Sequence, residues 1–265
     1  MPGGSDSCEG LAHADPGLPE GAAVIFLLVH GSFHGGWCWS RVIPLLRAAG
    51  HEVFAPTLTG MGERSHLLRP EVGLATYIDD IRQVIEFEDL NPVVLVGHSY
   101  SGMVIDGVAE AIPQRITRLI YLDAVVLEGG QSFFDACRPE IVEVGRELTR
   151  TYGDGWKMPP LPPEMFGISD EADRAWVSAK LTPQTWRSFE DRSSVQSAAG
   201  RRIPRAYIAC TSPRYNPWSI DPAIRARERG FAYRELATGH DAMITAPSEV
   251  ATTLIELASC RCPIT

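Results

Sequence analysis

Pro92-Val-Val-Leu-Val-Gly-His-Ser-Tyr-Ser-Gly-Met-Val104 is the stretch that decides the fold. Pro92 to Val96 is an apolar, β-branched run of strand length, and Met103 to Ala111 is compatible with a helix. Between them lies Gly97-His98-Ser99-Tyr100-Ser101-Gly102, which predicts a sharp strand-to-helix turn carrying a serine. Such a turn holds the hydroxyl clear of the backbone and aims the first N–H groups of the helix at whatever the oxygen attacks. Ser99 is the candidate nucleophile. The pattern departs from G-x-S-x-G in one place: Ser101 stands where the last glycine is expected, and Gly102 follows it. A small residue is wanted there because strand and helix backbones come close.

Outward from this turn the chain alternates strands with helical segments. Ala23 to Val29 reads as a strand buried on both faces, and His51 to Leu58 as a second. Trp39 to Ala49 has helical spacing, as does Leu74 to Glu88, whose apolar stripe is Tyr77, Ile78, Ile81, Val84 and Ile85. Arg118 to Val125 and Ile203 to Thr211 read as further strands. A helix near Pro222 to Arg229, a short strand Phe231 to Leu236, the loop Ala237 to Asp241 and a helix from Pro247 to Ser259 complete the series. This rhythm predicts an α/β fold with a mostly parallel, doubly wound sheet.

The rhythm breaks over 127–199, which holds Gly129-Gly130, the run Met158 to Pro163 and several tryptophans but no parallel-strand candidate. Long insertions in such folds sit over the crevice at the carboxyl ends of the strands, so this stretch is expected to be a helical cap, with 23–126 and 200–265 forming the core. Residues 1–22, rich in Gly, Pro, Ser and Asp without a positive start, are expected to be a disordered tail, and the protein cytoplasmic.

The 265 residues are 45% hydrophobic, enough for one large core, and the net charge of −9 argues against nucleic acid or an anionic membrane as partner. Only Lys157 and Lys180 could carry amine chemistry. The cysteines at 8, 38, 137, 210, 260 and 262 lack C-x-x-C spacing and read as reduced thiols, not as a metal site.

A serine needs a base to take its proton and a third group to hold the base. His240, in the loop after the last strand, is placed for that role. His13, His51 and His66 lie in the tail, at a strand edge and in a polar loop, and His98 is expected to point away from the serine. Two backbone N–H donors are needed for the developing oxyanion, each worth roughly 3–4 kcal/mol. Tyr100 is expected to supply one; the loop after the first strand supplies the other, from Ser32 or, as second choice, Phe33.

The segments HGSFHGGWCW, PTLTGMGER, VGHSYSGMV and TGHDAMI resemble the α/β-hydrolase superfamily, in particular its branch of small methylesterases and carboxylesterases, which includes plant hydroxynitrile lyases. The similarity runs from Val24 to the end and is faintest in the expected cap. It implies that Ser99 is the nucleophile, His240 the base, and Ser32 and Tyr100 the oxyanion donors, with ester cleavage through an acyl-enzyme and no metal or organic cofactor. The family's usual position for the acid reads Ser212-Pro213-Arg214 here, without a carboxylate. Asp123, at the end of the preceding strand, and Asp221, before Pro222, are the substitutes. Asp123 is preferred because Asp221 reads as a helix N-cap; Asp241, adjacent to the base, is set aside.

Three other readings remain. Hydroxynitrile lyases carry a lysine beside the catalytic histidine, where this chain has Asp241-Ala242-Met243. Cofactor-free dioxygenases of this fold use a His/Asp dyad with the acid at the Asp123 position. A catalytically silent ligand-binding member would have no need of the serine, the histidine and both loops together. For the substrate, a small hydrophobic ester and possibly a methyl ester, the expected wall is Phe33, Phe134, Trp156 and Trp186, with Phe133, Met165 and Trp176 also available.

Overall fold

The computed structural model describes residues 23–193, 200, 202–213 and 215–259. The expected tail at 1–22, Cys8, Cys260, Cys262 and the last six residues of the expected cap lie outside them. The central sheet has six strands in the order β2-β1-β3-β4-β7-β8. They are β1 (Ile25–Val29), β2 (Glu52–Phe54), β3 (Val93–His98), β4 (Ile116–Leu122), β7 (Arg205–Cys210) and β8 (Ala232–Leu236). Every pairing among them is parallel.

Alternate residues of each strand enter opposite cores, which is why the strands read as continuous apolar runs. Leu27, Leu95, Leu119 and Tyr207 face α2 (Leu74–Phe87) and α3 (Gly102–Ala111), against Tyr77, Ile81, Val104 and Val108. Phe26, Val94, Ile120 and Ile208 face the other way. There they meet Trp39 and Leu46, the latter on α1 (Ile43–Ala48), and Val250 and Leu254 of the terminal helix Pro247–Ser259.

Two elements are shorter than the sequence predicts. The strand expected over His51 to Leu58 stops pairing at Phe54. Beyond it, side chains of the loop after β1 and this backbone capture each other: the Leu58 N–H donates to His30 Nε2 at 3.0 Å, and the Gly36 N–H donates to Thr57 Oγ1 at 2.8 Å. The helix expected from Trp39 opens instead as a 3-10 turn, Gly36–Trp39, and becomes α-helical only at Ile43, where Pro44 occupies the first turn.

Between β4 and β7, the chain forms α4 (Phe133–Ala136), α5 (Pro139–Tyr152), α6 (Glu171–Ser178) and α7 (Trp186–Glu190), with a two-stranded antiparallel ribbon of β5 (Lys157–Met158) and β6 (Gln184–Thr185). Ser132 and Asp135 form a reciprocal capping box at α4, and Asp170 caps α6. After β7 come α8 (Pro222–Glu228), β8, α9 (Ala242–Thr245) and α10 (Pro247–Ser259). Among the described residues no helix is long and apolar enough to cross a membrane.

Candidate active site

Ser99 begins a 3-10 turn, Ser99–Ser101, directly after β3, and its φ of 55° lies in the left-handed region that a residue with a Cβ rarely occupies. Phe33 (φ 68°) and Asp123 (φ 44°) share that conformation. Three strained residues thus converge on one place, a pattern that marks functional sites. The shift of the glycine to position 102 has a physical reason. A Cβ there would strike the Val125 carbonyl, whereas Ser101 uses its hydroxyl, which donates to the His30 carbonyl and ties the elbow to the loop after β1. The Val125 N–H donates to the Ser99 carbonyl at 3.0 Å, joining the elbow to the loop after β4.

The Ser99 hydroxyl lies 2.9 Å from His240 Nε2, and His240 Nδ1 lies 2.6 Å from Asp123 Oδ2. The carboxylate can only accept, so Nδ1 carries the ring proton and Nε2 is left to accept from Ser99. The other oxygen of Asp123 accepts the Cys210 N–H at 3.2 Å. Asp123 therefore sits at the end of β4 between its neighbours β3 and β7, braced by the latter. Asp221 is elsewhere, with its side chain accepting the Ala223 N–H at 2.9 Å as the N-cap of α8. His240 reaches the serine because the loop after β8 folds back over the sheet, with Gly239 packed on Gly167 so closely that a Cβ on Gly239 would meet the Gly167 Cα at 2.7 Å.

His98 departs from expectation. Its ring centroid is 4.7 Å from that of His240, and its Nε2–H donates to the His240 carbonyl at 3.0 Å. The left-handed turn at Ser99 breaks the alternation of the strand, so consecutive side chains both reach the loop that carries His240. Two other histidines hold the loop after β1. His30 Nδ1–H donates to the Gly31 carbonyl at 2.9 Å, and His34 Nδ1 lies 2.7 Å from the Ser32 carbonyl. His34 Nε2 is 3.0 Å from Asp241 Oδ2. Neither His34 nor Asp241 received a role from the sequence. They are separated by 207 positions, and only the fold makes them neighbours.

Ser99, His240, Ser32 and Phe33 all line one cavity. His34 and His98 join them, and the rest of the wall is largely apolar, with Phe133, Phe134, Phe189, Met158 and Phe166 from the segment between β4 and β7, and Tyr215 from beyond β7. Of the four expected wall residues, the structure brings Phe33 and Phe134 to the cavity. Trp186 stands behind Phe134, ring centroids 4.4 Å apart, with its indole N–H donating to Glu190 at 2.7 Å. Trp156 does not line the cavity; its carbonyl accepts the Trp186 backbone N–H at 2.7 Å. Aromatic composition alone could not tell which rings face inward. The Ser32 hydroxyl is buried without a hydrogen-bond partner among the described residues, and the Tyr100 hydroxyl donates to the Ser188 carbonyl at 2.8 Å, anchoring the elbow to α7.

Burial pushes the His30 ring down to about 3 and the His98 ring well below the ordinary histidine range. Both are neutral when folded but take up a proton when unfolded below pH 6.5. Each therefore stabilises the fold fully above that pH, and its contribution is lost as pH falls. His34 is shifted upward instead, is protonated in both states below pH 6.5, and offsets none of this loss. Together the two neutral histidines should make the fold less stable as pH falls from roughly 6 to 4. Urea unfolding across that range checks this; a flat profile would contradict it.

Comparison with known proteins agrees with this architecture. The family model described as "Alpha/beta hydrolase family" matches residues 26–253. The chain belongs to the α/β-hydrolase family. Within it, the chain is similar to a carbendazim hydrolyzing esterase of Nocardioides sp. (strain SG-4G), 36% identical over 243 residues, covering 88% of this chain and 98% of that protein. It is 29% identical to salicylic acid-binding protein 2 of Nicotiana tabacum over 264 residues, covering 88% and 96%. Among solved structures, this α/β-hydrolase shares its fold with an extracellular α/β-hydrolase from a Paenibacillus species, with a TM-score of 0.78 at 23% identity, covering 89% of this chain and 99% of that one.

Proposed function

We propose that this α/β-hydrolase is a carboxylic-ester hydrolase that works through an acyl-enzyme on Ser99, with a small hydrophobic ester such as a methyl ester as substrate. The observation that carries the reading is the unbroken relay from Ser99 through His240 to Asp123, at 2.9 and 2.6 Å. The esterase and methylesterase names of its relatives support the same class of reaction. The largely apolar, aromatic-rich cavity supports a hydrophobic substrate held beside a few polar groups.

In this reading, Ser99 Oγ attacks the ester carbonyl carbon while its proton passes to His240 Nε2. Asp123 keeps the imidazole in the tautomer that can receive it and stabilises the charge that forms. The oxyanion of the tetrahedral intermediate is held by backbone N–H groups of Tyr100 and of the Ser32–Phe33 loop. As the intermediate collapses, the C–O bond breaks and the alcohol leaves with the proton from His240. Water then gives a proton to His240 and attacks the acyl-enzyme, releasing the acid and restoring Ser99. These steps need no metal or organic cofactor. In this reading the described part of the expected cap, 127–193, covers the site, with Phe133, Phe134, Met158 and Phe189 lining the cavity that Ser99 also lines.

Incubation with a fluorophosphonate should add one adduct to the intact protein, mapping to Ser99, and the unlabelled protein should release p-nitrophenol from short-chain esters. Absence of both would overturn the proposal.

A further inference from the structure

We propose that His34 and Asp241 form a buried imidazolium–carboxylate strut that sets the orientation of the Ser32–Phe33 peptide, making both positioning residues for the oxyanion donors. The inference rests on the Ser99 reading above and adds a component to it.

The stereochemistry of His34 comes first. Its Nδ1 faces the Ser32 carbonyl at 2.7 Å, and a carbonyl can only accept, so Nδ1 carries a proton. Its Nε2 faces Asp241 Oδ2 at 3.0 Å. With Asp241 ionised, that nitrogen must also donate, and the ring is a cation. Both residues are buried. The groups around them favour this charge state. His98, whose Nε2 is 3.8 Å from Asp241 Oδ1, and His30 are held neutral by burial, and burial pushes the Cys38 thiol well up, so the pair meets no competing charge there. His240, in the adjacent position, donates to Asp123 instead. Trp37 stacks on His34 at 5.3 Å with an interplanar angle of 25°, which suits a cationic ring. The carboxylate outweighs desolvation and shifts His34 upward, while His34 holds Asp241 below the usual carboxylate range.

The consequence for the loop follows from peptide planarity. The Ser32 carbonyl and the Phe33 N–H belong to one trans peptide and point in opposite directions, so fixing the carbonyl fixes the N–H. His30 does the same one residue earlier, since it holds the Gly31 carbonyl and thereby orients the Ser32 N–H. The strut is attached at its far end to the residue after His240, so the oxyanion loop and the base loop are kept in register with each other. A donor out of line is felt in the transition state and not in substrate binding.

The test compares Asp241→Ala with Asp241→Asn. An asparagine amide can donate to a neutral His34 Nε2 while Nδ1–H still holds the Ser32 carbonyl, so Asn keeps the strut and Ala removes it. With kcat expressed per fluorophosphonate-titrated site, Ala should lose roughly 30-fold or more in kcat with KM within about 3-fold, and Asn should stay within about 5-fold of wild type. Equal loss in the two variants, or no loss in Ala, overturns the proposal. Should the Ala variant fail to fold, ¹⁵N NMR of the wild type decides: both His34 nitrogens should carry imidazolium shifts at pH 7.5, assigned by their absence in His34→Gln, and a neutral ring there overturns the strut. A wild type that forms no adduct would instead defeat the Ser99 reading, and the NMR result would still stand.

Discussion

Replacing Ser99 with alanine is expected to lower kcat/KM for a p-nitrophenyl ester by at least about 10⁴-fold while leaving the fold intact. The side-chain oxygen makes one hydrogen bond, to His240, so its removal strands no buried donor. The backbone at this position is already held at a φ of 55° with a Cβ present, and alanine adds no steric demand there. Circular dichroism and the melting temperature should therefore match wild type within a few degrees. Retention of more than a tenth of the activity would remove Ser99 from the mechanism.

The second large effect separates two carboxylates. Asp123→Asn should reduce kcat by about 10³- to 10⁴-fold, and Asp221→Asn should change it less than about 2-fold. Both oxygens of Asp123 accept, one from His240 Nδ1–H and the other from the Cys210 N–H. An asparagine has a single acceptor for those two donors. When its oxygen stays on Cys210, its NH₂ faces Nδ1 and forces the imidazole proton onto Nε2, where it opposes the Ser99 hydroxyl. The base is then in the tautomer that cannot receive a proton. At 221 asparagine caps a helix as well as aspartate does, so the local structure persists. Equal activities in the two variants would refute the assignment of Asp123 as the acid.

What the sequence disclosed, and what it withheld, follows the range of the interactions. The elbow was legible because strand, turn and helix signals lie within twenty consecutive residues, Pro92 to Ala111. The parallel sheet was legible because its strands are buried on both faces and read as apolar runs. His240 and Asp123 were legible as positions at strand ends, since in this topology those ends are brought together. Interactions between distant segments were not legible. The early end of β2 depends on His30 and Gly36 meeting the chain at 57 and 58. The exchange of glycine for serine at 101 became intelligible only when its hydroxyl was found on the His30 carbonyl. His98 was aimed the wrong way because strand alternation was extended one residue past the point where the turn ends it. The aromatic side chains of 127–193 formed an undifferentiated set in the sequence, and packing alone put Phe133, Phe134 and Phe189 on the cavity and Trp186 behind Phe134.

The position of the acid has an evolutionary consequence. With Asp123 directly after β4, the segment between β7 and α8 carries none of the three proposed relay residues, yet it lends Tyr215 and Pro217 to the cavity wall. Tyr215 also packs against the His240 ring, centroids 4.7 Å apart, so substitution there should alter the base as well as the chamber, and Pro217 is the position at which the chamber should be reshaped with the relay kept. In a relative whose acid sits after the equivalent strand, the same substitutions would strain the relay. A library at position 217 is therefore where altered selectivity should first be found.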